Sequence, residues 1–305
     1  MRILDKTLSR RDALAGLVGI SGLVLLARSA QTAALAQAET KQPMRVAALD
    51  WGIAATLTAM GSPPIAVPAP KWCNLYFGRD ILPREVVDVG LLFTPNFEAL
   101  QELSPDLIVT PSGLSGNRGL LQSIASVVEI NLFQPGSKPL ELAMEGSQNL
   151  ATAIGRPAEG KALCDDTLEA IAIAKTKLAS SSDLPIVLAS PIDDRHVSIF
   201  GQGSLMVDVL RALGLESPVI TSANTEFQIV GIDTLHQYGD AAVVLIGTPS
   251  APELTQTLSE SRLWNTLPFA QAGRVYQIGP VLGSGGLPAA ARFARLLTEA
   301  IKPHA

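Results

Sequence analysis

Three histidines, His196, His236 and His304, are all that the 305-residue chain carries, and His304 falls in its tail. A zinc or manganese site built from three histidines and a carboxylate cannot be assembled from them. Asp193 and Asp194 have the composition of an acid–base pair, yet neighbours on a turn point apart. Asp193 is therefore expected to cap the turn, and His196, beside Arg195, to be a structural hydrogen-bonding residue. Gly201-Gln202-Gly203 is half of a dinucleotide fingerprint, without its third glycine or a βαβ start. Cys73 and Cys164 stand 91 positions apart with no other cysteine, which excludes a zinc knuckle and a thioredoxin-like pair and leaves one disulfide or two buried thiols. The sequence contains no Gly-x-Ser-x-Gly elbow, Walker loop or His-Glu-x-x-His helix. None of these signals amounts to a catalytic constellation or a histidine-based metal site.

Composition narrows the class. With 47% hydrophobic, 17% charged and 5% aromatic residues and a net charge of -5, the chain is globular rather than collagenous, coiled-coil or disordered. Its acidic balance gives no footprint for nucleic acid or an anionic membrane. The first residues read as an export signal: Ser9-Arg10-Arg11-Asp12 precedes the 15-residue apolar run Ala13–Ala27, which is too short to span a bilayer comfortably. Small residues follow, with cleavage expected at Ala34-Leu35-Ala36 or Ala36-Gln37-Ala38. The paired arginines point to the twin-arginine route rather than a basic Sec signal or an anchor, although the usual Phe is Ala13 here. Without a lipidated cysteine, the mature chain is expected to be soluble in the periplasm. Removing residues 1–38, with their net +3, leaves a body of about -8.

From Met44 onward, short β-rich runs alternate with helical patterns. Arg45–Leu49 reads as a strand, and Asp50 as the cap of a helix that stops at Gly61. Strands are expected at Val86–Leu91, Leu107–Thr110 and Val127–Leu132, with helices at Asn96–Leu103, Asn117–Ala125, Leu140–Ile154 and Glu159–Ala179. The last of these, about 20 residues and so roughly 30 Å long, can bridge two lobes. After Ser180-Ser181-Ser182-Asp183 the alternation restarts, with strands at Ile186–Ala189, Val197–Phe200, Ala242–Ile246 and Arg274–Ile278 and helices at Ser204–Leu213 and Pro288–Ile301. The expected architecture is α/β: a signal peptide at 1–38, an amino-terminal lobe at 44–157, one long connecting helix at 158–182 and a carboxyl-terminal lobe at 183–305, rather than a single doubly wound domain. Ligands of such folds lie where loops at the carboxyl ends of strands converge.

Several strings carry a family resemblance. Asp88-Val89-Gly90, Pro95-Asn96-Phe97-Glu98-Ala99-Leu100 and Ser104-Pro105-Asp106-Leu107-Ile108-Val109 resemble the signature of periplasmic iron-siderophore and cobalamin binding proteins. Ile192-Asp193-Asp194-Arg195-His196, Leu263-Trp264-Asn265 and Leu267-Pro268-Phe269 resemble its ferric hydroxamate branch, and the likeness covers the whole mature chain. It implies two lobes on one rigid helix with a small hinge motion, and a monomer that delivers an Fe(III)-siderophore chelate to an ABC permease of the inner membrane. Cobalamin, haem or another bulky cofactor is the alternative cargo. A twin-arginine-exported enzyme or redox partner and an interaction protein without a small ligand are the rivals from other classes.

The resemblance gives Glu98 and Asp233 as permease-docking acids, one on each lobe, unless they are merely carboxylates favoured by a helix dipole. Its cleft arginine falls at Leu92, its tyrosine near Leu114, and its second-lobe tryptophans near Gln228 and Leu282. Loss of that arginine removes a charge-assisted hydrogen bond of about 1.5–3 kcal/mol. Trp51, opening the first helix, faces either cleft or core. Trp72 and Tyr76, in what reads as an irregular loop, and Phe227 are further aromatic candidates. Arg118, in the loop that starts at Ser112, and Arg79 are either cleft cations or solvated surface residues. Gly283-Ser284-Gly285-Gly286 either admits a ligand close to backbone or is a plain turn.

Overall fold

A computed structural model describes residues 44–301, apart from 79, 133, 135–137, 180–183, 223 and the side chain of Ser115. The expected signal peptide, Arg79, the polar break at 180–183 and His304 lie outside the described residues.

The first lobe is a five-stranded parallel sheet in the order β3-β2-β1-β6-β7: β1 Val46–Ala48, β2 Ala66–Val67, β3 Val87–Asp88, β6 Leu107–Thr110 and β7 Ser126–Glu129. Central strands β1 and β6 are buried on both faces, as parallel strands covered by helices must be. Between β3 and β6 come the hairpin β4 (Gly90–Leu91) and β5 (Thr94–Pro95) and helix α3 (Phe97–Leu103). Asn96 caps α3 by accepting the Ala99 N–H at 3.0 Å. Helix α1 (Trp51–Ala59) follows β1 and is capped by Asp50, which accepts the Ile53 N–H at 2.9 Å.

The second sheet has the order β10-β9-β8-β11-β12: β8 Ile186–Pro191, β9 His196–Phe200, β10 Phe227–Gly231, β11 Ala242–Ile246 and β12 Val275–Ile278. Strands β8, β11 and β12 run parallel, while β9 is antiparallel to both β8 and β10. The turn from β8 to β9 is built on Asp193, whose carboxylate accepts the N–H groups of Arg195 and His196 and meets His196 Nδ1 at 3.0 Å. These bonds hold the Asp193 carboxyl below its usual range.

Helices α5 (Pro139–Ala153), α6 (Pro157–Leu178), α7 (Leu205–Ala212) and α10 (Gly286–Ala300) join α1 between the sheets; the shorter α4 (Arg118–Gln122), α8 (Leu254–Glu260) and α9 (Pro268–Gln271) belong to the connections. One core runs through them from Val46, Leu57 and Phe77 to Leu188, Val244 and Phe293. The two lobes therefore share apolar packing instead of meeting across water, which restricts how far they can move apart. A hydrogen bond from Leu140 N–H to Asp208 Oδ2 at 3.0 Å ties α5 to α7. The strings around Trp264 and Phe269 build a separate core under the second sheet, where the two rings meet edge-to-face at 5.3 Å.

Three local expectations change. The strand expected over Val86–Leu91 is two, because Gly90 at φ 94° breaks it and turns the chain into the hairpin. The irregular loop around Trp72 and Tyr76 is helix α2 (Pro70–Phe77), with Pro70 at its first turn and left-handed Gly78 after its end. Strand β10 was not expected at all; all of its residues are exposed or half-buried, so no apolar alternation announces it.

Candidate functional site

The carboxyl ends of the first-lobe strands carry the candidate aromatic residues. Trp51 opens α1 directly after β1, and its Nε1–H donates to the Pro68 carbonyl at the end of β2, 2.7 Å away. Tyr76 lies on α2 with its ring 5.6 Å from that of Trp51, tilted by 32°. Burial pushes the Tyr76 phenol up from its ordinary value. Beneath the pair, the Cys73 thiol faces the Trp51 carbonyl at 3.7 Å, and burial, with Asp50 close by, pushes it up to about 12. Asp50 is itself raised by burial, against the opposing pull of the helix N–H groups it caps. Cys73 and Cys164 are both free and buried.

Asp88 sets the entry to α2 and to the hairpin together. Its Oδ1 accepts the N–H of Ala69, at φ 45° before α2, at 3.0 Å, and that of Gly90 at 2.9 Å. The start of the family-like string Asp88-Val89-Gly90 is thus a clamp. It fixes both the helix that bears Trp72 and Tyr76 and the hairpin turn that bears Leu92.

That turn presents apolar surface where the resemblance has an arginine: Leu92 is half-buried, and its neighbours Leu91 and Phe93 are 69% and 75% exposed. Leu114 is only 4% exposed and packs with Leu49, Ile108 and Leu121 under the first sheet, so its side chain belongs to the core and does not reach the cleft. Ser112 is exposed, and its N–H donates to Asn131 Oδ1 at 3.2 Å. Arg118 is partnered by Glu129 at 3.6 Å, an ion pair at the edge of the lobe rather than a free cation. Trp72 is partly exposed on α2.

The second lobe supplies its candidates from β10 and from the loop before α10. Phe227 is 53% exposed and Gln228 is exposed on the edge strand β10. Leu282 and Ser284 are half-buried. The 282–285 loop lies against the first lobe: a Cβ on Gly52 would collide with the Ser284 carbonyl and meet Gly285 Cα at 3.0 Å. Trp51, Tyr76, Leu282 and Ser284 are therefore gathered at the lobe junction. Glu98, in the first turn of α3, and Asp233, in the turn after β10, are both exposed.

Two concavities of about 890 Å³ lie elsewhere. One sits between α1, α6 and α10, around Ala55, Ala174 and Arg292, and the other between α2 and the loops after β11 and β12, around Leu75, Thr248 and Pro280. The residues singled out in the sequence line neither. Among the described residues, no group of histidine, cysteine or carboxylate side chains is placed to hold a metal ion, and no helix is long and apolar enough to cross a membrane. Sequence reasoning missed Asp88 as a clamp, although its string was visible, and missed Gly52, for which no motif exists.

The chain is similar to known proteins in sequence and fold. A family model described as periplasmic binding protein matches residues 46–282. The iron(3+)-hydroxamate-binding protein FhuD of Escherichia coli (strain K12) is 29% identical over 297 residues, covering 96% of this chain and 97% of that protein. A putative ABC transporter substrate-binding lipoprotein, YhfQ of Bacillus subtilis (strain 168), is 21% identical over 252 residues, 78% of this chain and 76% of its own. Among solved structures, the Fe3+–Desferal-bound siderophore binding protein FhuD from Vibrio cholerae superposes with a TM-score of 0.78 at 23% identity, over 85% of this chain and 98% of that one.

Proposed function

Because the chain belongs to the periplasmic binding protein family, a family of carriers rather than enzymes, we propose that it captures an Fe(III)-siderophore of hydroxamate type at the lobe junction and delivers it to an ABC permease of the inner membrane. The likeness to an iron(3+)-hydroxamate-binding protein along 96% of the chain carries this reading. The chelator's own oxygens hold the iron, so the protein needs only walls and orienting groups. Trp51, Trp72, Tyr76 and Phe227 provide aromatic surface suited to an organic chelate, and Ser112, Gln228 and Ser284 provide hydrogen-bonding groups.

Delivery follows from closure. The shared core allows only a small change in the angle between lobes, enough for Glu98 and Asp233 to be read together as a docking pair by permease cations. The protein acts as a monomer in the periplasm after twin-arginine export and removal of residues 1–38. Expression in a Gram-negative strain lacking its own ferric-hydroxamate binding protein tests the whole reading. Growth on a ferric hydroxamate as sole iron source is the expected result. No growth on any ferric siderophore, with the protein present and folded in the periplasm, would refute it.

A further inference from the structure

Glu226 is the odd carboxylate of the molecule. Among the described residues, the other half-buried acids all have partners: Asp50 accepts the Ile53 N–H, Asp193 accepts two N–H groups, Asp208 meets Leu140 N–H and Arg211, Glu129 meets Arg118, and Glu159 meets Arg156. The Glu226 side chain has no hydrogen bond and no ion pair among them. Burial raises its proton affinity, with nothing to offset it. Carboxylates withdrawn from water without a partner are costly, and folded chains rarely keep them without a use.

Its place in the fold gives that use. The Glu226 backbone is fixed at the head of β10, where its carbonyl accepts the Gly201 N–H at 2.8 Å. The side chain reaches the loop before α10, where a Cβ on Gly283 would lie 2.6 Å from Glu226 Oε1. Glycine at 283 is what lets that loop approach the carboxylate. The next residue, Ser284, presses its carbonyl on Gly52, directly after Trp51. A negative group therefore stands against the same loop, 282–285, that closes on Gly52 at the lobe junction.

Resting on the receptor reading above, we infer that Glu226 selects the cargo: its carboxylate receives a cationic group, an ammonium or amidinium, borne by the bound chelate. The ligand supplies the partner that the protein withholds. A charge-assisted hydrogen bond of this kind corresponds to roughly tenfold or more in affinity.

The test uses two probes that share a neutral ferric trihydroxamate core, one a linear chelate ending in a primary ammonium and the other its N-acetylated form. Each is titrated into the mature protein and into Glu226→Gln, whose folding is checked by circular dichroism. The expected result is that the wild type prefers the ammonium form by about tenfold or more, and that Glu226→Gln loses this preference while its affinity for the acetylated form is unchanged. Equal wild-type affinity for the two forms overturns the inference and leaves the receptor reading standing. Equal loss of both forms in the variant also overturns it, by making Glu226 a structural residue. No binding of either form by the wild type removes both readings.

Discussion

The rings of Trp51 and Tyr76 lie 5.6 Å apart although they come from different helices. Two hydrogen bonds account for the meeting: the indole N–H is anchored on the Pro68 carbonyl, and Asp88 fixes the Ala69 N–H at the start of α2. The fold alone thus holds the pair in place; on the proposed function, such preorganisation lowers the ordering cost of binding.

Replacing Tyr76 by Leu keeps the volume apolar and removes the aromatic partner. An aromatic pair contributes about 0.5–1.5 kcal/mol beyond area burial, so Tyr76→Leu is expected to weaken cargo binding by roughly 2- to 12-fold. Titration calorimetry reads this directly, and an unchanged affinity would show that the pair lies outside the binding surface.

Asp50 gives a pH dependence with a definite sign. Burial raises its folded-state proton affinity above that of the unfolded chain, so between the two values the folded state holds the proton more often. Stability contributed by Asp50 is therefore present in acid and falls as pH rises through that window. Asp50→Asn keeps an acceptor for the Ile53 N–H without the charge. Its stability relative to wild type should improve from pH 4 to pH 7, as followed by urea unfolding, and a difference independent of pH would contradict the assignment.

Gly52 is required by contact rather than by turn geometry. A methyl group there would collide with the Ser284 carbonyl, and overpacking of this kind costs about 1–3 kcal/mol. Gly52→Ala should lower the urea midpoint and weaken cargo binding together, because the displaced loop carries Leu282 and Ser284.

Much of this was legible in the chain. Asp50 and Asn96 announced the starts of α1 and α3 by side chains that accept hydrogen bonds from the first turn, and the buried runs of β6 and β11 announced central strands. Helix α2 escaped because its apolar face, Cys73 and Phe77 with Trp72 and Tyr76 beside them, lasts only two turns, and only Pro70 and Gly78 mark its ends. Aromatic residues stand out by type, so Trp51 and Tyr76 could be named as candidates in advance, but nothing local told that their rings would meet. Leu114 could not be placed, since a leucine after a strand serves a cleft or a core equally well and only packing decides. Glu226 depends on an approach to Gly283 across 57 positions of chain, a distance no local pattern encodes.

On the proposed function, the exposed carboxylates Glu98 and Asp233 serve delivery and not binding. The double variant Glu98→Ala and Asp233→Ala should bind cargo with wild-type affinity and support markedly slower siderophore-dependent uptake in cells. Uptake at the wild-type rate would leave both residues as plain surface carboxylates of their first turns.

The central claim is capture of a ferric chelate at the lobe junction, and tryptophan fluorescence of the mature protein tests it most directly. Trp264 is only 2% exposed in its own core, so ligand-dependent changes report on Trp51 and Trp72. Ferric hydroxamate, ferric catecholate, ferric citrate, haem and cobalamin would each be titrated, beside the metal-free form where one exists. Saturable quenching by ferric hydroxamate at micromolar concentration or below, with little response to the others, is the result the account predicts. Silence toward every iron chelate, or a response confined to haem or cobalamin, would contradict it.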